Sequence, residues 1–297
     1  MATLPGVILV TGATGQQGGA VARELLAKGH KVRALTRKPE SEPARAIARL
    51  GAEVIKGDFN DADSLTRAVR GAWGVFAMQN TWEAGVPNEE VQGKRIAQVA
   101  KQHGVQHFVY TSVGSAHRKT GIPHFDNKAR IEDTVRGLAF PSYVIIRPVF
   151  FMENFLSPWF KPALDQGKLQ IGIMPTTVLQ MIAVQDIGKY GLLAFERHAE
   201  LDRPEIDLAG DARTMPDTAK LLSKALGRTI TFERVPIAEV RKFSQDYALM
   251  LEWFDRVGYD VDIPANAKQY GIRPTTLAEW AATSSFSAPS RRPAPPL

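Results

Sequence analysis

A glycine-rich loop directly after the first apolar run is the feature that most restricts the fold of this chain. The sequence is VTGATGQQGG over residues 10–19, between the apolar run 7–10 and a segment of helical periodicity at 18–28. Glycines at this spacing let a backbone turn tightly and approach a pyrophosphate, and the amino end of the next helix offers free N–H groups to the anion. Strand, loop, helix and next strand fall within one unit of about 30 residues, the context expected for a dinucleotide site. The predicted site residues are Gly12, Thr14, Gly15, Gln16, Gln17 and Gly18. A purely structural tight turn is the alternative.

Apolar runs rich in β-branched residues alternate with helical segments as far as residue 150. The runs are 7–10, 31–35, 53–55, 74–78, 107–111 and 143–146, and the helical segments are 18–28, 42–50, 62–70, 88–103 and 126–136. Strands that are apolar on both sides are covered by helices on both faces of a parallel sheet. The alternation therefore predicts an α/β fold, a Rossmann doubly wound parallel sheet flanked by helices.

After Pro148 this alternation stops. Five aromatic residues follow closely, and they are consistent equally with a core and with the wall of an apolar ligand cleft; they are Phe150, Phe151, Phe155, Trp159 and Phe160. Further elements are predicted at 180–196 (strand, then helix), 205–208 (strand), 216–226 and 238–257 (helices). The predicted organisation is a Rossmann domain over 1–150 with return segments near 180–212, a smaller, mainly helical C-terminal domain over 151–180 and 213–282, and a disordered tail over 283–297.

The end of the second predicted strand indicates which dinucleotide the loop accepts. NAD-binding proteins place an Asp or Glu here on the ribose 2′-hydroxyl. This chain instead has Thr36, Arg37 and Lys38, with no acid between Arg33 and Lys38. Because a guanidinium pairs bidentately with a phosphate, we predict that Arg37, assisted by Lys38, binds the 2′-phosphate of NADP(H). A solvated basic turn before Pro39 is the alternative.

Ligands of doubly wound sheets lie beyond the carboxyl ends of the strands. This rule adds the residues after the third and fourth strands to the predicted cofactor site: Asp58, Phe59, Gln79 and Asn80. Asp58 is predicted to accept a hydrogen bond from the adenine amino group. Alternatively it caps the following helix, a role for which Asn60 or Asp61 is better placed.

Several motifs resemble the NmrA-like branch of the atypical short-chain dehydrogenase/reductase superfamily. They are TGATG at 11–15 with Gly18, TRKP at 36–39, TSV at 111–113, and RP at 147–148 leading to FMENF at 151–155, and the similarity extends over roughly residues 5–280. The stretches NTWE (80–83) and HFDNK (124–128) are especially similar to a human redox-sensing member of this family. The resemblance implies an NADP(H) site, to which Phe151 and Asn154 also belong, and a small C-terminal domain that closes over the nicotinamide.

The catalytic residues are the point at which this chain departs from the superfamily pattern. Typical short-chain reductases carry Tyr-x-x-x-Lys on the helix after the fifth strand, where the tyrosine donates a proton during hydride transfer. This chain has His124 and Lys128 at that spacing. The resemblance implies that Lys128 holds the nicotinamide ribose and that Ser112 hydrogen-bonds a substrate carbonyl. His124 is a candidate proton donor because imidazole titrates near neutral pH; packing at the helix start is the alternative.

Two functions are compatible with these residues. In the first, the protein is a redox-sensing regulator whose NADP(H) occupancy alters the loop 79–87 and its association with a regulatory protein partner. In the second, it is an NADPH-dependent oxidoreductase that transfers hydride to a quinone-like or other planar carbonyl acceptor held against Phe151, Phe155 and Trp159. The absent tyrosine favours the first function, and the aromatic run favours the second.

Composition and the remaining motifs exclude several other classes. The 297 residues include no Cys, which rules out thiol chemistry and suits a reducing, cytoplasmic compartment. The six His show no metal-ligand spacing, so we predict no metal. The net charge is +6, but the basic residues occur as dispersed pairs, which argues against direct nucleic-acid binding. No apolar run approaches the ~20 residues of a membrane helix. We therefore expect a soluble cytoplasmic protein without membrane association, either monomeric or homodimeric.

Overall fold

A parallel sheet forms the centre of the computed structural model, which describes residues 4–282. The strands are β1 (Val7–Val10), β2 (Val32–Thr36), β3 (Glu53–Lys56), β4 (Ala72–Ala77), β5 (His107–Thr111), β6 (Ser142–Pro148), β7 (Phe150–Phe151), β8 (Lys168–Ile171), β9 (Val178–Ile182), β10 (Glu205–Leu208), β11 (Asp211–Thr214) and β12 (Thr231–Arg234). The α-helices are α1 (Gln16–Ala27), α2 (Glu42–Arg49), α3 (Ala62–Val69), α4 (Thr81–Ala84), α5 (Val86–Gln102), α6 (Pro123–Gly137), α7 (Lys161–Asp165), α8 (Val184–Glu196), α9 (Met215–Leu226), α10 (Ile237–Phe243), α11 (Gln245–Arg256), α12 (Ile263–Tyr270) and α13 (Leu277–Ala281). Short 3-10 helices cover Ala116–Arg118 and Met152–Leu156.

The strand order of the central sheet is β3-β2-β1-β4-β5-β6-β10, and every neighbouring pair is parallel. Strands β1 to β3 are added toward one edge of the sheet, and β4 to β6 are added toward the other edge. Ligands of such sheets bind in the crevice between β1 and β4, where this order reverses. The doubly wound fold predicted from the sequence is therefore confirmed. The sheet has one strand more than the six predicted before residue 150, because β10 joins its edge beside β6.

The central strands are buried on both faces. In β1, Ile8 and Val10 belong to one apolar core and Leu9 to the core on the opposite face, as the two-residue period of a strand requires. All three side chains are completely buried, a burial worth roughly 1.5–3 kcal/mol per side chain. Helices therefore cover both faces, which is the reason the strands are continuously apolar.

Helix α1 packs closely against α8, because α8 presents glycines at the contact. A Cβ added at Gly188 would lie 3.1 Å from atoms of Ala20, and one added at Gly191 would lie 2.5 Å from Cγ2 of Val21. Larger side chains at these two positions would push the helices apart. The amino end of α1 is thus positioned by a helix that lies far along the chain.

A buried arginine joins β10 to the sheet. Arg147 of β6 donates to both carboxylate oxygens of Glu132 on α6, at 2.8 and 2.6 Å, and also pairs with Glu205 and Asp207 of β10. Burial alone would lower the pKa of Arg147, but the surrounding carboxylates raise it above its ordinary value, so the guanidinium stays charged.

The C-terminal elements build a separate core, to which most of the aromatic run contributes. Phe150, Phe155 and Phe160 are buried and their rings pack against one another, with centroids 5.5–6.1 Å apart. Trp159 is 86% exposed. The expectation that Phe155 and Trp159 form the wall of an acceptor cleft is therefore wrong: the first is sealed in the core, and the second extends into solvent.

Two small sheets complete the C-terminal part of the chain. Strand β9 pairs with β11 antiparallel and with β7 parallel, and β12 pairs with β8 parallel. The helical segment predicted at 238–257 is two helices, because Ser244 ends α10 and caps α11 by accepting from the Tyr247 N–H. The domain limits stay a prediction, and the tail predicted as disordered, 283–297, lies outside the described residues. Within residues 4–282, every helix is too short or too polar to cross a bilayer.

Candidate dinucleotide-binding site

The glycine loop leaves open backbone at the amino end of α1. Gly12 has a φ of +62°, and a side chain there would meet Sδ of Met78 at 2.5 Å. A Cβ on Gly18 would lie 2.3 Å from the carbonyl oxygen of Thr11. The N-cap residue of α1, Gly15, has no side-chain cap, and the first turn carries no acid. The N–H groups at this helix end therefore remain available to an anion.

Hydrogen bonds fix the loop to its neighbouring strands. The Thr11 hydroxyl donates to the Met78 carbonyl at 3.0 Å and accepts from the Met78 N–H at 2.8 Å, which joins the ends of β1 and β4. The amide oxygen of Gln17 accepts from the Thr111 hydroxyl at 2.7 Å, which joins α1 to the end of β5. Of the other predicted loop residues, Thr14 is half-buried and Gln16 is exposed.

Buried polar atoms without partners lie at the same edge of the sheet. Gln79, which follows β4, is 4% exposed, and both its amide oxygen and its amide nitrogen lack a hydrogen-bond partner. The Ser112 hydroxyl, after β5, is likewise buried and unpartnered. Leaving such groups unsatisfied is costly, so their placement fits a polar ligand that would satisfy them.

The two basic residues predicted at the 2′-phosphate are both exposed at the end of β2. The Arg37 guanidinium forms an ion pair with Glu83 of α4. The backbone N–H of Lys38 donates to the Thr36 hydroxyl at 3.2 Å, which fixes the turn. Sequence reasoning missed Glu83 as the partner of Arg37, although it lies in the NTWE stretch that carried the family resemblance.

The residues predicted to border the cofactor cleft after β3 and β4 have structural partners as well. Oδ1 of Asp58 accepts from the Asn60 N–H at 2.8 Å, and the carboxylate of Asp61 caps α3, the role expected for Asn60 or Asp61. The carbonyl of Phe59 accepts from the guanidinium of Arg95 at 2.6 Å. Asn80 caps α4 by accepting from the N–H of its second residue. The side chains of Asp58 and Phe59 remain half-buried at the sheet edge.

Lys128 is paired with a buried carboxylate that the sequence did not reveal. Its Nζ donates to Glu89 of α5 at 2.7 Å, and Glu89 also accepts from the Asn127 amide at 2.9 Å and from the Thr81 hydroxyl. Burial alone would raise the pKa of Glu89, but the Lys128 charge and these hydrogen bonds hold it below its ordinary value. The ionised carboxylate therefore fixes the position of the ammonium.

His124 is held by an aspartate from the C-terminal part of the chain. Nδ1 of His124 lies 2.5 Å from Oδ2 of Asp246, and the His124 backbone N–H donates to Oδ1 of the same residue at 3.1 Å. The indole of Trp82 contacts the imidazole in a tilted arrangement, with ring centroids 5.3 Å apart and ring planes at 51°, and Trp82 is 65% exposed. Asp246 was missed from the sequence because 122 positions separate it from His124.

The FMENF motif spans β7 and the 3-10 helix after it. Phe151 lies in β7 opposite Ile182 of β9 and is half-buried. Asn154 is half-buried in the following 3-10 helix, where its carbonyl accepts from the Ser157 N–H at 3.0 Å.

Two surface cavities differ in their relation to this site. The smaller, about 290 Å³, adjoins the amino end of α1 and includes Gln16 and Gln185 in its lining. The larger, about 570 Å³, lies at the opposite edge of the sheet, beside Trp73 and Ser142. In the part of the chain that the structure describes, no group of three His, Asp or Glu side chains is arranged to hold a metal ion.

Comparison with known proteins identifies the family of this chain. The model of the NmrA-like family matches residues 5–281. An NmrA-like family domain-containing protein of Dictyostelium discoideum is 28% identical over 269 residues, which are 84% of this chain and 88% of that protein. An NmrA-like family domain-containing oxidoreductase of Cladobotryum sp. is 37% identical over 167 residues, 52% of this chain, and the match spans 50% of the fungal protein.

Solved structures share the fold at low identity. NmrA, described as a negative transcriptional regulator and crystallised with NAD, has a TM-score of 0.77 and 20% identity, with 94% of this chain and 95% of that chain covered. An NADPH-dependent quinone oxidoreductase of Escherichia coli, crystallised with NADPH, has a TM-score of 0.75 and 24% identity, with 93% and 98% covered. These similarities establish the shared architecture of the chains.

Proposed function

Because this chain belongs to the NmrA-like family, we propose that it binds NADP(H) at the carboxyl edge of its sheet and senses the redox state of the NADP(H) pool. The observation that carries the proposal is the ion pair between Arg37 and Glu83. Arg37 stands where a doubly wound fold presents the ribose 2′ position. In the structure, the Glu83 carboxylate pairs with the Arg37 guanidinium, the group that a 2′-phosphate would bind.

The residues present fit the whole cofactor. Arg37 and Lys38 would hold the 2′-phosphate, the uncapped amino end of α1 would hold the pyrophosphate, and Lys128 would hold the nicotinamide ribose. The unpartnered polar atoms of Gln79 and Ser112 would gain hydrogen bonds. When bound, NADPH supplies a hydride.

Helix α4 links the two ends of this proposed site. Glu83 in α4 pairs with Arg37, and Thr81, its first residue, hydrogen-bonds the Glu89 carboxylate that holds Lys128. A phosphate on Arg37 would compete with Glu83 for the guanidinium. The four-residue helix would then lose one of its fixed contacts, and the segment 79–87, in which Trp82 and Glu83 are exposed, would change the surface it offers to a regulatory protein partner.

Replacing Arg37 with Ala tests the proposal. We expect NADPH affinity to fall about 10- to 100-fold, since a hydrogen bond to a charged group contributes roughly 1.5–3 kcal/mol, while NADH affinity stays unchanged. Fluorescence titration with both cofactors measures the ratio. Hydrogen exchange of residues 79–87 should also change with NADP⁺ in the wild type but not in the variant. Arg49→Ala, which removes an exposed arginine on α2, is the control. An unchanged NADPH to NADH ratio in Arg37→Ala would contradict the assignment.

A second function, NADPH-dependent reduction of a quinone-like acceptor, is favoured by the exposed Trp82 beside His124. This indole offers a planar apolar surface beside the residue that replaces the usual tyrosine. A planar acceptor could stack on this indole, whereas Phe155 and Trp159 do not form the acceptor cleft expected of them. The names of the fungal relatives, oxidoreductases, also support this candidate.

Turnover with a panel of small quinones distinguishes the two functions. If the protein is a reductase, the nicotinamide absorbance of NADPH should fall with at least one quinone, and Lys128→Ala should lower kcat/KM about 100-fold because the cofactor ribose loses its cationic partner. Lys94→Ala, which breaks a half-buried ion pair with Glu90, should leave the rate unchanged. Tight NADPH binding without oxidation by any quinone would contradict the reductase function, and only the sensor function would remain.

A further inference from the structure

We propose that Asp246 is a positioning residue that makes His124 the proton donor for reduction, replacing the tyrosine that this chain lacks. The proposal rests on the second function above, NADPH-dependent reduction of a planar acceptor. Nothing in the sequence around either residue indicates the pairing, since α11 and α6 meet only in the folded chain.

The two functional side chains of α6 lie on one helix face. His124 and Lys128 are four residues apart and therefore lie one turn from each other on the same side of the helix. The buried Glu89 fixes the position of the Lys128 ammonium. The imidazole thus has a defined position relative to the group that would hold the nicotinamide ribose.

Asp246 selects which imidazole nitrogen carries the exchangeable proton. Its Oδ2 lies 2.5 Å from Nδ1 of His124, a buried nitrogen that has no aligned hydrogen bond in the structure, so the negative charge of the carboxylate favours a proton on Nδ1. Its Oδ1 accepts from the His124 N–H and ties α11 to the start of α6. The ring is also packed between Trp82, at 5.3 Å, and Phe125, at 4.8 Å and nearly perpendicular. Because Nδ1 faces the Asp246 carboxylate, Nε2 is the nitrogen left to serve an acceptor.

The proton balance of the step is simple. Hydride addition brings two electrons to the acceptor, oxidises the nicotinamide, and leaves a negative charge on an acceptor oxygen. The His124 imidazolium gives the proton on Nε2 to that oxygen. The N–H bond at Nε2 breaks and an O–H bond forms on the acceptor. The neutral imidazole keeps the proton on Nδ1, which faces the Asp246 carboxylate, until Nε2 regains a proton from solvent.

A neighbouring tyrosine is a poor substitute for His124. Tyr247 lies beside Trp82, with ring centroids 6.3 Å apart. Burial raises its pKa above the ordinary value of a phenol. In reductases with the Tyr-x-x-x-Lys motif, the lysine lowers the tyrosine pKa instead, and no such shift occurs here.

The experiment compares Asp246→Ala and Asp246→Asn with the wild type in the full chain. With the most active quinone, kcat should fall about 10- to 100-fold in Asp246→Ala, while NADPH affinity is unchanged, and Asp246→Asn should retain part of the rate. Nitrogen-15 NMR of the imidazoles should show that neutral His124 is protonated on Nδ1 in the wild type and shifts toward the ordinary Nε2 tautomer in Asp246→Ala. Glu252→Ala, which lies on the same helix as Asp246 and breaks a half-buried ion pair with Arg241 of α10, is the control.

A third variant distinguishes loss of His124 orientation from a general loss of folding in Asp246→Ala. His124→Tyr restores the usual motif, so it should keep a measurable rate that a further Asp246→Ala no longer reduces. An unchanged kcat in Asp246→Ala, or an unchanged tautomer, would overturn the role of Asp246 while leaving the reductase function intact. NADPH binding without turnover by any quinone would overturn the reductase function and this proposal together.

Discussion

Gly18→Ala should abolish NADPH binding and lower the free energy of unfolding by about 1–3 kcal/mol or more. The added Cβ would lie 2.3 Å from the Thr11 carbonyl oxygen and 2.5 Å from the carbonyl carbon and oxygen of Gly12. These are backbone atoms of the loop, and two hydrogen bonds between Thr11 and Met78 hold them in place. The loop must therefore shift away from α1, which destroys the proposed pyrophosphate cradle. Urea unfolding and fluorescence titration with NADPH measure the two effects.

Gly137→Ala is the matched control for this substitution. Gly137 ends α6, and a Cβ at this position meets no atom within 4 Å. The control should bind NADPH as the wild type does, with stability unchanged or raised by up to ~1 kcal/mol, because Ala favours a helix over Gly. Equal behaviour of the two variants would show that the loop tolerates a side chain at position 18.

Arg147→Met should be the most destabilising substitution of a charged residue, with a loss of about 3–5 kcal/mol in the free energy of unfolding. The side chain of Glu132 is completely buried, and Arg147 donates to both of its oxygens. Removal of the guanidinium leaves this carboxylate buried with only Arg136 as a cationic partner. It also removes the charge that joins Glu205 and Asp207 of β10 to the sheet. Thermal and urea unfolding measure the change.

Two comparisons separate burial from charge in this prediction. Arg49→Met breaks an ion pair of similar length, 2.6 Å, but both partners are exposed on α2, so the loss should stay below ~1 kcal/mol. A double variant, Arg147→Met with Glu132→Leu, should recover part of the lost stability, since no unpaired carboxylate remains at position 132. A loss in Arg147→Met no greater than in Arg49→Met would mean that the buried network contributes little.

The central sheet could be predicted because its signals are local. A strand buried on both faces must be apolar throughout, so β1 and β5 stand out at the bounds that the structure has, Val7–Val10 and His107–Thr111. The glycine loop is equally local, since the steric demand on Gly18 arises from residues six or seven positions earlier. The doubly wound class followed from the alternation of strands and helices, whereas the strand order came from the structure.

The partners of the candidate site residues could not be predicted, because each lies far along the chain. Arg37 and Glu83 are 46 positions apart, Lys128 and Glu89 are 39 apart, and His124 and Asp246 are 122 apart. Each carboxylate belongs to a helical segment in which an acidic residue is ordinary. The aromatic run was ambiguous for a different reason: Phe155 and Trp159 are both large and apolar, and only tertiary packing decides that the first is buried and the second exposed.

The contact between α1 and α8 has a consequence for the order in which this protein is made. Helix α1 holds the proposed pyrophosphate cradle, but the glycine face that supports it comes from residues 188–191. Strand β10, which closes the sheet edge, ends at residue 208. A ribosome releases the chain from its amino end, so the glycine loop leaves the exit tunnel long before its support exists. A growing chain can therefore assemble its cofactor cradle only after residues 188–191 have been synthesised, and until then the apolar side of α1 is a candidate for chaperone contact.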